Sequence, residues 1–231
     1  MPTAVVTGAN SGIGHAFAII LINEGYKVYA VDKDHGHGLQ NLSSEATTHV
    51  LDVASVESIK NFKNVLGDEA IDLLLNIAGV ASGPDKDGLY TTNIDILQRT
   101  FAVNTFGPML LTQELLPNIL RSSKPKIGIV SSRVGSIGDN SSGGHYAYRA
   151  SKAAVNSIGK SLANDLKEQG VIVTLLHPGF VRTNILPAES MPPEAVEADE
   201  AAIKLWENIV SKKELEDTGK FWHREGYELP W

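Results

Sequence analysis

Short apolar runs alternate along the chain with segments whose apolar residues recur at helical spacing. Residues 3–7 (TAVVT) form a first run that stops at Gly8, and from Gly14 to Asn23 the apolar positions return every three or four residues. The same alternation predicts strands over 27–32, 48–52, 71–76, 126–131 and 171–176. It predicts helices over 55–66 with Ser55 as N-cap, over 95–121 with an internal Gly107-Pro108, and over 146–169, stopped by Gly170. Continuous Val/Ile/Leu runs are the pattern of strands covered on both faces. Strands separated by helices imply crossovers into a parallel sheet. The expected fold is therefore α/β, a doubly wound parallel sheet with helices on both faces. In such sheets ligands lie at the carboxyl ends of the strands. Those ends here carry Thr7-Gly8, Asp32, Asp52, Asn76, Ser131-Ser132 and His177-Pro178-Gly179, a concentration of small, polar and acidic residues.

The chain has 231 residues with no internal repeat and no low-complexity linker, which suits a single domain over 1–231. A formal net charge of −7 without a basic run argues against a nucleic-acid partner. The absence of cysteine excludes a disulfide scaffold, a thiolate zinc site and a thiol nucleophile. Every apolar stretch falls short of the roughly 20 residues that span a bilayer. With no leader pattern before the first strand, the expectation is a cytoplasmic protein without a membrane partner.

The turn between the first strand and first helix reads Thr7-Gly8-Ala9-Asn10-Ser11-Gly12-Ile13-Gly14. Glycines allow positive φ and close approach of the backbone to a ligand. The helix N-terminus that follows offers free amides and a positive dipole end to a pyrophosphate. Gly8, Asn10, Ser11, Gly12, Ile13 and Gly14 are thus the candidate cradle, and a packing turn is the competing reading. No G-x-x-x-x-G-K-[ST] is present, against a triphosphate P-loop. Asp32 lies 18 residues past Gly14, where a carboxylate can accept bonds from ribose hydroxyls and repel a 2′-phosphate. This favours NAD(H). Lys33 beside it keeps NADP(H) open. Asp52 is read either as a contact to an adenine amino group or as a local helix cap.

Tyr148 and Lys152 are four residues apart at the start of a predicted helix and so share a face. An ammonium beside a phenol favours the phenolate, making an acid/base pair that works near neutral pH. The preceding strand ends at Ser131-Ser132, whose hydroxyls can reach a substrate carbonyl.

Taken together, the marks Thr7-Gly8-x-x-x-Gly12-x-Gly14, Asp52-Val53, Asn76-Ile-Ala78-Gly79, Asn104, Ser132, Tyr148-x-x-x-Lys152 and Pro178-Gly179 resemble the short-chain dehydrogenase/reductase family over nearly the whole chain. The stretches around Ser132 and Tyr148 and the closing Leu-Pro-Trp resemble its short carbonyl-reductase-like branch, which includes the C-factor and sniffer proteins. The resemblance implies a Rossmann-like sheet of about seven strands. It implies an oxidoreductase that moves a hydride between a nicotinamide and a carbonyl or secondary alcohol, and a homodimer or homotetramer. By resemblance Tyr148 is the proton donor and acceptor. Lys152 assists it and holds the nicotinamide ribose, Ser132 orients the substrate oxygen, and Asn104 kinks its helix and holds a water. Asp52, Val53, Asn76, Ala78 and Gly79 would line the adenosine side. Pro178, Gly179, Val181 and Thr183 would line the nicotinamide side. The branch often uses NADPH, against the reading of Asp32.

Two features depart from the family pattern. Asn76-Ile77-Ala78-Gly79 has isoleucine where a second asparagine is usual. Ser132 stands 16 residues before Tyr148, a longer gap than usual, and residues 139–144 account for the excess as a loop insertion. Ser131 or Ser136 is therefore an alternative substrate contact. A dinucleotide-binding regulator with little turnover, and a scaffold that binds no nucleotide, are the competing readings. His35 and His37 lack further ligands for a metal, His145 reads as a loop histidine, and Asp85 to Gly88 as a charged loop. Residues 184–200 are expected to cover the substrate, and the aromatic tail from Phe221 to Trp231 to pack on the domain.

Overall fold

The structure is a computed structural model that describes residues 1–42, 44–185 and 191–231. Seven strands pair in parallel: β1 (Thr3–Thr7), β2 (Lys27–Asp32), β3 (Thr47–Val50), β4 (Leu73–Asn76), β5 (Lys126–Val130), β6 (Ile172–His177) and β9 (Lys220–His223). Their order is β3-β2-β1-β4-β5-β6-β9, so the chain winds outward from β1 in both directions. Between β1 and β4 the direction reverses, and the strand-end loops part into a crevice there.

Alternation along each strand divides the core into two layers. Val5 and Val31 face the layer built from α3 (Val56–Leu66), α5 (Gly107–Ile119) and α6 (Tyr146–Leu166). Ala4, Val6 and Ala30 face α1 (Gly12–Asn23), α2 (His37–Leu42) and α7 (Ala198–Leu205). Phe17 in one layer and Phe62 in the other are fully buried, each contributing about 1.5–3 kcal/mol of transfer free energy. This is the doubly wound, Rossmann-like α/β architecture that the run pattern and the resemblance lead one to expect.

Ser55 caps α3 as predicted, its hydroxyl accepting from Ser58 N at 3.2 Å. The stretch expected as one helix over 95–121 is α4 (Ile94–Phe101), a π turn over Ala102–Phe106 and then α5, with Asn104 inside the π turn. The tail does more than pack on the domain. Lys220–His223 enters the sheet beside β6, and Trp231 stacks on Phe221 with ring centroids 5.8 Å apart. The seventh strand was thus the one the run pattern had not placed.

Of the expected covering segment, 186–190 lie outside the described residues. Its flanks pair as two short strands, β7 (Val181–Arg182) and β8 (Val196–Glu197), before α7 begins at Ala198. Among the described residues no helix is long and apolar enough to cross a membrane.

Candidate active site

The crevice is built first by Thr7. Its hydroxyl accepts from Ile77 N at 2.9 Å and Ala78 N at 3.0 Å, and lies 3.4 Å from Leu75 O, so the ends of β1 and β4 are tied together. Gly8 follows with φ +71°, and a Cβ there would stand 3.0 Å from Ala78 Cα. A Cβ on Gly14 would run into the Gly8 carbonyl, so α1 sits directly on the turn. Gly12 has φ +56°. Among the described residues, the N-cap Ser11 makes no side-chain capping bond, and the first turn of α1 carries no acidic residue. The first amides of α1 therefore remain available, at the positive end of the helix. A glycine cradle under uncapped amides fits a pyrophosphate.

Asn10 and Asp32 hold this turn against β2 and α2. Asn10 N donates to Asp32 Oδ2 at 3.1 Å, and Asn10 Oδ1 accepts from Leu39 N at 3.2 Å. Lys33 points to the solvent and pairs loosely with Asp34 at 3.7 Å. Asp52 closes its own loop, Oδ1 accepting from Ala54 N at 2.9 Å while its amide donates to Ser58 Oγ at 3.0 Å. Val53 is buried, and a Cβ on Gly107 of α5 would stand 3.0 Å from its Cβ. Asn76 is buried with Nδ2 3.4 Å from Thr112 Oγ1.

Opposite the turn lies the polar cluster that α6 carries. The Tyr148 hydroxyl is hydrogen-bonded to Ser132. Lys152 Nζ donates to Val130 O at 2.9 Å and lies 5.7 Å from the Tyr148 ring centroid. Asn104, buried in the π turn, brackets Val80, accepting from its amide and donating to its carbonyl, both at 2.9 Å. Its Nδ2 also reaches Ser151 Oγ at 3.1 Å, and that hydroxyl donates to Tyr148 O at 2.8 Å. A Cβ on Gly79 would stand 3.4 Å from Asn104 Oδ1 and 3.8 Å from Lys152 Nζ, so this glycine leaves a gap between the two. Ser131 is buried with its hydroxyl 3.4 Å from Lys152 O, and Ser136 accepts from Asp139 N at 3.2 Å. Of the three serines, Ser132 is the one joined to Tyr148.

The electrostatics differ from the expectation for an isolated Tyr–Lys pair. Burial pushes the Tyr148 phenol up to about 12, the Ser132 bond pulling the other way, although the residue as a whole is only half-buried. Burial pushes Lys152 down to about 8. The ammonium is aimed at Val130 O, so it does not hold the phenol below its usual value here. At neutral pH the phenol keeps its proton.

Gly179 has φ +77°, and the Arg224 guanidinium fills the place a Cβ would take. Arg224 Nη1 donates to Pro178 O at 2.5 Å, so the end of β9 fastens the Pro178-Gly179 turn. Val181 is buried in β7, and Thr183 lies against Gly12. His177 Nδ1 accepts from Arg133 N at 3.2 Å. Burial first, then His223, Arg133 and Arg224, push the His177 imidazole down to about 3, so it stays neutral. The 139–144 loop is held by Arg149, which donates to Val134 O at 3.0 Å and Ser142 Oγ at 2.8 Å.

One reading of the chain needs correction. Asp87, read as part of a charged loop, is fully buried. Its carboxylate accepts from Ala147 N at 2.8 Å and Tyr148 N at 3.0 Å, the amides at the start of α6. Arg224 and Asp87 both act over long sequence separations, and no local spacing marks either of them. His35 lies 3.4 Å from Thr48 Oγ1, and among the described residues no group of three His, Cys, Asp or Glu side chains could hold a metal.

Known proteins are similar to this chain in sequence and fold. The short chain dehydrogenase family matches residues 2–192. A 1-hydroxy-2-glutathionyl-2-methyl-3-butene dehydrogenase of Rhodococcus is 35% identical, with 100% of both chains covered. The NADPH-bound carbonyl reductase from chicken fatty liver superposes with a TM-score of 0.90 at 28% identity, covering 100% of this chain and 99% of that one. The carbonyl reductase Sniffer of Drosophila melanogaster superposes at 0.87 with 26% identity and 100% coverage of both. The chain belongs to the short-chain dehydrogenase family and is an oxidoreductase that works by NAD(P)-dependent hydride transfer.

Proposed function

We propose that this protein is a carbonyl reductase that also runs backwards on the corresponding alcohol, with Tyr148 as general acid/base. The observation that carries the reading is the Tyr148–Ser132 hydrogen bond beside Lys152, on the strand-end rim shared with the uncapped glycine turn. The dinucleotide would be held by Gly8, Asn10 to Gly14, Asp32, Asp52, Val53, Asn76, Ala78, Gly79, Tyr148, Lys152, Pro178, Gly179, Val181 and Thr183. When bound, it supplies the hydride that passes to or from the substrate carbon.

This chain's own residues handle the proton. In reduction the Tyr148 hydroxyl, still protonated at neutral pH, donates to the carbonyl oxygen as negative charge develops there. The Ser132 hydroxyl aligns that oxygen and shares the charge. Lys152, next to the ring, would stabilise the phenolate left behind by turning its ammonium from the Val130 carbonyl towards the phenolate oxygen. Asn104 keeps the Val80 backbone and Ser151 in place, and the gap beside Gly79 suits a water between Asn104 and Lys152. In oxidation each transfer reverses.

Asp32 favours NAD(H), because a carboxylate at the end of β2 repels a 2′-phosphate. The NADPH of the chicken relative and the exposed Lys33, only loosely paired with Asp34, favour the phosphorylated cofactor instead. We rank NAD(H) first, since Asp32 is already oriented by Asn10 N. Residues 184–200 are the proposed substrate cover, and the cytoplasm the proposed location. Purified protein is tested with NADH and NADPH against ketones, aldehydes and a glutathione-conjugated alcohol. Cofactor-dependent turnover with at least one carbonyl is expected. Nucleotide binding without turnover across the panel would overturn the proposal.

A further inference from the structure

We infer that Asp87 is a positioning residue for Tyr148: it serves as the missing N-cap of the helix that carries the phenol. The inference rests on Tyr148 being the acid/base.

An N-cap side chain ordinarily serves the second and third amides of its helix. In α6 these belong to Ala147 and Tyr148. The residue in the N-cap position, His145, is left-handed at φ +50°, and among the described residues it makes no side-chain capping bond. Gly143 and Gly144 before it also have positive φ, so the chain enters α6 by a route that lays no local side chain over its amides. Asp87 fills that role from a loop 60 residues away. Oδ1 takes Ala147 N at 2.8 Å and Oδ2 takes Tyr148 N at 3.0 Å. Thr92 Oγ1 lies 2.9 Å from Oδ1 and 2.8 Å from Gly88 O, sharing its one hydrogen between them.

A fully buried carboxylate persists only where its charge is compensated. Two charge-assisted amide bonds and the positive end of α6 compensate it here. The consequence falls on the phenol. The Tyr148 backbone is held at its amide by Asp87 and at its carbonyl by Ser151, which Asn104 holds in turn. The loop after β4 and the π turn thereby fix one residue from both sides. Releasing the amide lets the first turn of α6 fray and the phenol drift from Ser132, while the glycine cradle across the crevice is untouched.

The test compares Asp87→Ala, Asp87→Asn and Thr92→Val with Tyr148→Phe, using the best carbonyl and cofactor. Asp87→Ala should lower kcat about 10- to 100-fold while cofactor affinity and substrate KM stay within about twofold, because a shift of about 1 Å misaligns a reacting group. Asp87→Asn keeps one acceptor over the amides and should recover part of that loss. Thr92→Val leaves the carboxylate but loosens it, and should lower kcat by a smaller factor, which keeps the test open if Asp87→Ala does not fold. Unchanged kcat in the Asp87 and Thr92 variants, with Tyr148→Phe inactive, overturns this inference alone. An asparagine variant no better than the alanine one does so as well. Near-normal turnover in Tyr148→Phe overturns the reading beneath it.

Discussion

A Cβ on Gly12 would stand 3.1 Å from the Thr183 methyl, so the turn after β1 and the segment after β7 meet at the mouth of the crevice. The glycine turn and the residues proposed for the nicotinamide side are therefore built against each other. Gly12→Ala would place an L side chain at φ +56°, costing about 1–2 kcal/mol in backbone strain. It would also push Thr183 away. The variant should fold with a lower melting temperature and bind NADH and NADPH at least about tenfold more weakly, since that contact sits where the amides must face phosphate. Cofactor titration by intrinsic fluorescence checks it. Unaltered affinity would show that the amides of α1 do not meet the pyrophosphate.

Asp32 has two tasks that can be separated. Its Oδ2 accepts from Asn10 N and steadies the turn, while under the proposed cofactor placement its charge would repel a 2′-phosphate. Asp32→Asn retains an acceptor but removes the charge. The ratio of kcat/KM for NADPH over NADH should rise about tenfold or more in that variant, following loss of repulsion with a group of about −1.5 to −2 charges. Asp32→Ala should show the same shift and weaker binding of both cofactors. A ratio that does not move in either variant would mean that Asp32 acts on the turn alone.

What was legible in the sequence was what short-range physics dictates. Ser55 is a cap because its partner is Ser58, three residues on. The glycine turn is recognisable because positive φ and close packing exclude side chains at Gly8, Gly12 and Gly14. The π turn hid inside a regular apolar pattern, since one widened turn barely disturbs the spacing across 94–119. β9 went unplaced because a four-residue strand gains its identity only beside β6, more than forty residues away. Asp87 was misread for the same reason: a buried carboxylate and a solvated one look alike until its amide partners are known. Arg224, reaching the Pro178 carbonyl from just beyond β9, is another such case.

Arg224 offers a prediction of its own. The guanidinium stands where a Gly179 side chain would, and bonds the Pro178 carbonyl. Arg224→Lys removes the planar fork that holds this turn, and lysine cannot replace it. The turn should loosen, raising KM for cofactor several-fold with little change in kcat, as expected when an interaction shared by ground and transition states is lost. Steady-state kinetics with the cofactor varied checks it. A fall in kcat at constant KM would instead place Arg224 in the chemical step.

Tyr148→Phe keeps the ring but removes the proton. Turnover should fall by about 10²–10⁴-fold, the range for loss of a general acid. Cofactor affinity should be unchanged, because none of the cradle contacts involves the hydroxyl. Ser132→Ala should lose less, since the phenol remains. Its pH–rate profile for alcohol oxidation should move to higher pH, because the Ser132 bond is what pulls the phenol downward against burial. A profile that moves to lower pH would show that the bond favours the neutral phenol.

Lys152 leads to a prediction about stability as well as rate. Burial lowers its folded pKa to about 8 from the ordinary 10.5. Below pH 8 both folded and unfolded chains hold the proton, and the folded state carries the whole penalty of a buried ammonium. Between 8 and 10.5 the unfolded chain binds more protons than the folded one, so stability rises with pH. A shift of this size corresponds to about 3 kcal/mol. Tyr148 acts in the opposite sense, but only above pH 10, where the unfolded phenol ionises and the buried one does not. Lys152→Met removes the titrating group while filling much of its volume. The advantage of the variant over the wild type in urea unfolding should therefore be largest near pH 7 and shrink steadily towards pH 10, even though its catalysis is lost. The Val130 carbonyl, deprived of its donor, subtracts a pH-independent amount from both ends of that comparison. A stability difference that stays flat from pH 7 to pH 10 would mean that Lys152 keeps its ordinary affinity for the proton inside the folded protein.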